Sequence, residues 1–359
     1  MNSPDAQSCS SKRIAFVLPS LKFGGGERVA LNLAMALNAE GYEIDFLLMS
    51  YEGEFLAEAQ RQFKVVDLKC NRTWKLPFRL WHYLQKTHPT VLISSFWKLN
   101  LCACLSRTFF PTLKLLVWEH SPPTRSSPAW LYAITASVFY RLATCVVAVS
   151  SGVAADVLNN TIGLGSRVAT IFNPIPPPIL DRSRLKQNMG RRIIWVGRLD
   201  DPKNPGLMLE AFALLPKSGG YTLCFVGDGG QRVALEERAQ DLGLAKSARF
   251  IGFQQDTYAH MADADLLVLS SDREGLPTVL IEAMHVGLRA VSTDCGEGIH
   301  DILRGNRYGT IVPINDEKLL AMAIETELSA PSNPALQIAG AQSFVPSVIA
   351  RQFMQAIGE

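Results

Sequence analysis

Short apolar runs alternate with stretches of helical periodicity along almost the whole chain. Residues 13–20 (RIAFVLPS) form a run that ends on a proline and is followed by a glycine cluster. Residues 27–39 carry Val29, Leu33, Ala36 and Leu37 at helical spacing, and Gly41 closes the segment. Further runs at 43–49, 64–68, 90–96, Lys114–Glu119, 145–150 and 168–172 read as buried strands. Helical patterns separate most of them. Near-continuous apolar strands alternating with helices predict a parallel sheet covered on both faces.

Residues 173–179 (NPIPPPI) hold four prolines in seven positions and read as a stiff linker. The alternation then restarts. Strands are expected at 192–197, Thr222–Val226, 248–252, 265–269, 289–292 and Gly309–Val312, with helices such as 205–215 and 231–242 between them. The pattern predicts an α/β protein of two open, doubly wound Rossmann-like domains facing across a cleft, joined by a Pro-rich hinge. Domains are expected at 1–178 and 179–342, followed by a C-terminal helix within 343–359 that crosses back to the first domain.

Composition narrows the function. The 359 residues suit about two domains. Lys plus Arg is 35 and Asp plus Glu is 33, a balance that excludes a nucleic-acid binder driven by counterion release. Residues 1–180 carry a net +6 and residues 181–359 a net −4, so one half could face a membrane or polyanion. Seven cysteines, with Cys102 and Cys104 as the nearest pair, predict reduced thiols in a cytoplasmic protein. The N-terminal dozen residues read as a polar tail. The uncharged stretch 126–140 is too short to span a bilayer and reads as a buried helix.

The chemistry lies at expected strand ends. FGGGER (23–28) puts Gly25 and Gly26 before a helix, where backbone can approach an anion; a tight structural turn explains it equally. GRLDDPKN (197–204) places Arg198 and Lys203 on one strand-to-helix loop, two cations suited to a diphosphate. DREGLPTVLIEAMHVG (272–287) is the strongest signal. Pro277 can open a helix whose first amides follow Gly275 and Leu276, with Glu274 beside that anion site. Glu282 sits two turns on among apolar residues and needs a partner, either a ribose diol or a buried ion pair. Asp263 and Asp265 form a DxD string, but at the entry to a strand, away from the ligand edge.

Together these motifs resemble a retaining glycosyltransferase of the GT-B fold, family 4, the group that builds bacterial polysaccharides and lipid-linked oligosaccharides. The resemblance runs from FGGGER through VAVSSGV, IFNPI, GRLDDPKN, FVGDGG, FIGF and EGLPTVLIEA to VSTDCGEG. By position, it implies that Glu282 grips the nucleotide ribose and that Glu274 lies beside the transferred sugar. Arg198 and Lys203 would clamp the diphosphate. Gly25 and Gly26 would close on the donor phosphates, and Gly275 and Leu276 would offer amides to sugar and phosphate. Phe253 would lie near the base. In VWEHSPP, the resemblance favours His120 as the donor-sugar contact, with Glu119 able to share the role. It implies a metal-independent reaction and a nucleotide-diphosphate donor, expected to be a UDP-sugar such as a UDP-N-acetylhexosamine. VSTDCGEG departs from the commoner TDCPSGP, which leaves the sugar open.

The acceptor is expected to be a glycan or a polyprenyl-diphosphate-linked sugar. Residues 72–86 place Trp74, Phe78 and Trp81 at i, i+4 and i+7, with Arg72, Lys75, Arg79 and Lys86 around them. That suits peripheral contact with an anionic membrane at its cytoplasmic face; a core-facing helix with solvated lysines is the alternative, and shortening of the helix by Pro77 would weaken both. Two competing functions are an epimerase-like GT-B enzyme and a non-catalytic sugar or nucleotide binder. The diphosphate clamp argues against the first. The intact Glu274, Glu282, Arg198 and Lys203 set argues against the second, since a binder needs no leaving-group stabilisation.

Overall fold

The computed structural model describes residues 12–22, 24–70, 72–120, 128–179 and 191–358. The N-terminal tail, Phe23 of the glycine motif and the first two residues of the 126–140 stretch lie outside them. All strand pairs are parallel. The first sheet holds β1 (Arg13–Leu18), β2 (Glu43–Leu48), β3 (Lys64–Asp67), β4 (Val91–Ser95), β5 (Lys114–Glu119), β6 (Cys145–Ala148) and β7 (Val168–Thr170), in the order β3-β2-β1-β4-β5-β6-β7. Helices α1 (Gly25–Ala39), α2 (Leu56–Gln62), α3 (Leu76–Thr87), α4 (Trp97–Arg107), α5 (Ala129–Phe139) and α6 (Ser151–Asn160) connect its strands.

The second sheet holds β8 (Arg192–Val196), β9 (Thr222–Val226), β10 (Ala248–Phe250), β11 (Leu266–Leu269), β12 (Ala290–Thr293) and β13 (Gly309–Val312), in the order β10-β9-β8-β11-β12-β13. Its helices are α7 (Pro205–Ala213), α8 (Arg232–Asp241), α9 (Tyr258–Asp263), α10 (Thr278–His285), α11 (Glu297–Leu303), α12 (Glu317–Ser329) and α13 (Pro334–Ala341). The chain forms two compact units, one on each sheet. A last helix, α14 (Pro346–Gln355), belongs to the first unit; it packs on α1, and its Phe353 meets Trp118 edge-on at 4.9 Å.

Why these runs become strands is visible in their burial. Ile14 to Leu18 are all fully enclosed, as are Leu115 to Trp118 and Leu266 to Leu267, because helices cover both faces of a parallel sheet. Each unit has its own core. Leu80, Leu92, Val117 and Tyr140 lie in one; Trp195, Met208, Phe225 and Ile324 lie in the other.

Each sheet reverses its winding once, between β1 and β4 and between β8 and β11. At such a switch point the connections leave toward opposite faces, and a crevice opens beyond the carboxyl ends of the two strands. The register aligns Ile14 with Val91 and Ile194 with Leu267, which sets the strand ends level there.

Two expectations change. The stretch read as a buried helix runs Ala129–Phe139 and buries only Tyr132 and Ala136, while Trp130, Ile134 and Val138 stand 64%, 58% and 59% exposed. A helix apolar all round gives periodicity no face to report, so sequence cannot tell which side is covered. In 72–86, Trp74 lies in a 3₁₀ turn, Thr73–Lys75, ahead of α3, and Pro77 sits harmlessly in the first turn rather than shortening the helix. Its buried side is Leu76, Leu80, Tyr83 and Leu84, so the Trp74, Phe78 and Trp81 stripe does not face the core.

Candidate active site

In the second unit, the β8 and β11 ends carry the expected motifs. After β8 the chain makes a 3₁₀ turn, Asp201–Lys203, and then Asn204 takes a left-handed φ of 45°. Asn204 caps α7 by accepting from the Leu207 amide at 3.1 Å, and donates to Asp272 Oδ1 at 2.8 Å. The indole of Trp195 donates to Ser270 Oγ at 2.9 Å, and that hydroxyl donates to the Asn204 carbonyl at 2.8 Å. The Lys203 loop is thereby stitched to the β11 end.

The turn swings Lys203 inward. Its Nζ donates to Glu274 Oε1 at 2.5 Å, and Ser271 Oγ donates to the same oxygen at 2.8 Å. The Glu274 amide donates to Cys295 O at 2.8 Å, which holds the loop against β12. Glu282 lies on α10, half-buried, with Thr257 Oγ1 donating to its Oε2 at 3.4 Å. Burial raises its carboxyl above the ordinary value, while that hydrogen bond and the nearby Lys203 charge oppose the rise. One lysine therefore acts on two carboxylates.

Close backbone packing replaces side chains around this group. Gly227, at φ 140°, has no room for a methyl because the Gly197 carbonyl occupies its place, and Gly298 likewise faces the Gly275 carbonyl. Leu276 is buried ahead of α10, whose N-cap is Pro277. Two sequence-expected residues are exposed. Arg198 is exposed and pairs with Asp200 at 3.2 Å rather than with Lys203's partners. Phe253, 59% exposed, follows Gly252 after β10. Asp265 of the DxD string accepts from the Arg192 amide at 2.9 Å and pairs with its guanidinium at 3.2 Å, which engages it at the amino end of β11.

In the first unit, the β1, β4 and β5 ends converge. Gly25 and Gly26 open α1. Phe96, between β4 and α4, takes φ 75°, and its ring comes 3.3 Å from where a methyl on Gly26 would sit. His120 follows β5, its ring 4.6 Å from Trp118 and 6.2 Å from Phe96, with Nε2 buried and without a hydrogen-bond partner among the described residues. Burial lowers the His120 imidazole to about 4, so it is neutral near pH 7.

Glu119 and His120 separate cleanly. Glu119 is 4% exposed, and its Oε1 accepts from Tyr140 Oη and, at 3.2 Å, from Asn100 Nδ2. Burial pushes its carboxyl up to about 7, against the lowering effect of those two donors. Because the folded value exceeds the unfolded one, the contribution to stability is complete below about pH 4.5. It is lost as pH rises through 7, amounting to about 3 kcal/mol. Urea midpoints measured from pH 4 to 8 should fall less steeply for Glu119→Gln than for the wild type; parallel curves would show that Glu119 ionises normally.

Residues 23–177 match the family model described as Glycosyltransferase Family 4, and residues 178–342 match Glycosyl transferases group 1. The chain belongs to the family 4 glycosyltransferases. This glycosyltransferase is 29% identical over 333 residues to the Campylobacter jejuni enzyme named GalNAc-alpha-(1->4)-GalNAc-alpha-(1->3)-diNAcBac-PP-undecaprenol alpha-1,4-N-acetyl-D-galactosaminyltransferase, covering 88% of this chain and 89% of that one. It is 28% identical to the lipopolysaccharide core biosynthesis glycosyltransferase LpsE of Rhizobium meliloti, covering 85% of each. Its fold matches that of Anabaena HepE, solved in complex with UDP, with a TM-score of 0.83 at 19% identity over 96% of this chain and 99% of that one. The architecture is GT-B: two Rossmann-like α/β domains.

Sequence reasoning missed Phe96, Asn100 and Tyr140 in the first unit, and Ser270 and Thr257 in the second. No motif marks them. The ends of neighbouring strands in the sheet order would have drawn attention to Phe96 and Ser270 alone.

Proposed function

We propose that this glycosyltransferase moves a sugar from a UDP-sugar, such as a UDP-N-acetylhexosamine, to a lipid-linked glycan with retention of anomeric configuration. The observation that carries the reading is the Lys203–Glu274 pair at the β8/β11 switch point, with Glu282 inside the field of the same lysine. The donor diphosphate takes Lys203 and Arg198 as charge partners and meets the amides near Gly275 and Leu276. Glu282 accepts from the ribose hydroxyls, and Phe253 lies beside the base. Glu274 borders the sugar. His120, neutral, is a hydrogen-bonding contact for that sugar, and Gly25 with Gly26 leave room for phosphate and acceptor.

The bond from anomeric carbon to diphosphate oxygen breaks as positive charge grows on the sugar ring. The acceptor hydroxyl then forms its bond on the face the diphosphate leaves, and its proton passes to the departing phosphate oxygen. Arg198 and Lys203 carry the counter-charge that a divalent cation would otherwise supply. UDP as the nucleotide is supported by the ligand of HepE, and an N-acetylhexosamine by the activity named for the Campylobacter relative.

Glu282→Gln tests the assignment. The amide keeps the shape and loses the charged acceptor, so UDP affinity should fall about tenfold or more with unfolding temperature preserved. A folded variant that binds UDP as tightly as the wild type would refute the ribose role. Loss of the fold would indicate that Glu282 serves as a structural ion-pair partner instead.

The same reading puts the enzyme at an anionic membrane surface on the cytoplasmic side. Trp74 and Phe78 stand 62% and 72% exposed beside Arg72, Lys75, Arg79 and Lys86. Between Asp67 and Asp156 the only acidic residue is the buried Glu119, against ten Lys and Arg. No helix among the described residues is long and apolar enough to cross a membrane. Each basic residue near an anionic leaflet is worth about 1 kcal/mol. Lys75→Glu/Arg79→Glu should therefore abolish salt-sensitive co-sedimentation with anionic vesicles. Equal recovery on neutral vesicles, or no loss in the variant, would favour a soluble acceptor.

A further inference from the structure

Three side chains from separate elements meet beneath the β5 end. Glu119 comes from β5 itself, Asn100 from the first turn of α4, and Tyr140 from just after α5. Glu119 Oε1 takes both donors, and Asn100 Nδ2 also lies 3.5 Å from Tyr140 Oη. All three residues are buried. An apolar cluster of the same volume would pack as well or better, so stability alone gives no reason for this group.

The group is joined to a strained residue. Among the described non-glycine residues with positive φ, Phe96 is the one apolar side chain; its φ and ψ are 75° and 125°. Such a conformation is disfavoured for any side chain with a Cβ and persists only where the surroundings over-determine it. Phe96 O accepts from the Leu99 and Asn100 amides, both at 2.9 Å. Asn100 therefore holds the Phe96 turn with its backbone and grips Glu119 with its side chain. At the other end, Glu119 is followed directly by His120.

We propose that Glu119 is a positioning residue for sugar transfer, acting through Asn100 and Tyr140 to hold the Phe96 turn and the His120 ring as one wall opposite Gly26. The chain of contacts is short: the Asn100 side-chain Nδ2 donates to the Glu119 carboxylate, the Asn100 backbone N–H donates to the Phe96 carbonyl, and the Phe96 ring lies over the open face of Gly26. Without the carboxylate, Phe96 can relax to an ordinary φ, which swings its ring off Gly26 and away from His120. The inference rests on the sugar-transfer reading above, since the wall matters only if a donor sugar meets it.

The experiment compares Glu119→Leu, Glu119→Gln and Tyr140→Phe in the full chain. Readouts are unfolding temperature, UDP affinity by calorimetry, and kcat and KM for UDP release from a UDP-N-acetylhexosamine with a polyprenyl-diphosphate-linked oligosaccharide. Glu119→Leu should stay folded and bind UDP as the wild type does, while kcat falls about 100-fold, the scale of an ångström of misplacement. Glu119→Gln still accepts from Tyr140 and should restore most of kcat. In a Phe96→Ala background the Glu119→Leu loss should largely vanish, because the two act through one element.

Full kcat in Glu119→Leu, or an undiminished loss in the Phe96→Ala background, would overturn the proposal. If Glu119→Leu does not fold, Tyr140→Phe decides the matter: lowered kcat with unchanged UDP affinity supports positioning, and unchanged kcat refutes it. Wild-type protein that neither binds UDP nor releases it would overturn the transfer reading and this inference together, whereas intact binding with insensitive kcat would overturn only this one.

Discussion

Lys203→Ala is expected to lower turnover about 100- to 1,000-fold, the usual consequence of removing one donor aimed at charge that develops in the transition state. The lysine is held ready: its ammonium already pairs with Glu274, and the loop that carries it is fixed by Asn204 and by the Trp195–Ser270 hydrogen bonds. Departure of the diphosphate would give Lys203 a stronger anionic partner than Glu274. The loss should appear in kcat more than in KM, because the charge grows only as the bond breaks. Assays run with and without EDTA should give the same ratio of variant to wild type. Turnover within a few-fold of wild type for a folded Lys203→Ala protein would remove this lysine from the mechanism.

The second large effect concerns the backbone. Gly227→Ala puts a methyl where the Gly197 carbonyl oxygen stands, at a φ of 140° that a side chain rarely adopts. The neighbour is backbone at the end of β8, which cannot yield without moving the loop that carries Arg198 and Lys203. A cost above about 4 kcal/mol is expected, a large share of the about 5–15 kcal/mol that holds a domain together. Urea unfolding and UDP binding measured on one preparation would check it. Stability within about 1 kcal/mol of wild type would mean that the β8 and β9 ends can separate more easily than their contacts imply.

The candidate residues could be picked out where charged groups sit at strand ends, because strand ends are where apolar runs stop at glycine, proline or charge. Lys203 and Glu274 fall into that class, whereas Glu282, on α10, stood out as a carboxylate among apolar neighbours. What could not be read was which charged groups meet. Arg198 and Lys203 are equivalent as neighbours on one loop, yet the Asp201–Lys203 turn directs only the lysine toward Glu274. Glu119 and His120 are adjacent in the chain, and only tertiary packing sends one to Tyr140 and leaves the other beside Phe96. The exposed face of α5 was hidden for a different reason: a helix without a polar side carries no periodic signal of its orientation. The left-handed backbone at Phe96 had no signal, since its unusual φ is imposed by the turn around it and not by its own preference.

The second unit is expected to bind a nucleotide diphosphate through Lys203 and Glu282. The most direct test is thermal unfolding of the full chain with UDP, GDP and ADP, alongside Lys203→Ala and Glu282→Gln. Wild-type protein should be stabilised by about 2.7 kcal/mol at a nucleotide concentration 100 times its Kd, with UDP effective at the lowest concentration, and both variants should need more nucleotide for the same shift. No stabilisation by any of the three, or the same response in the two variants as in the wild type, would contradict the account.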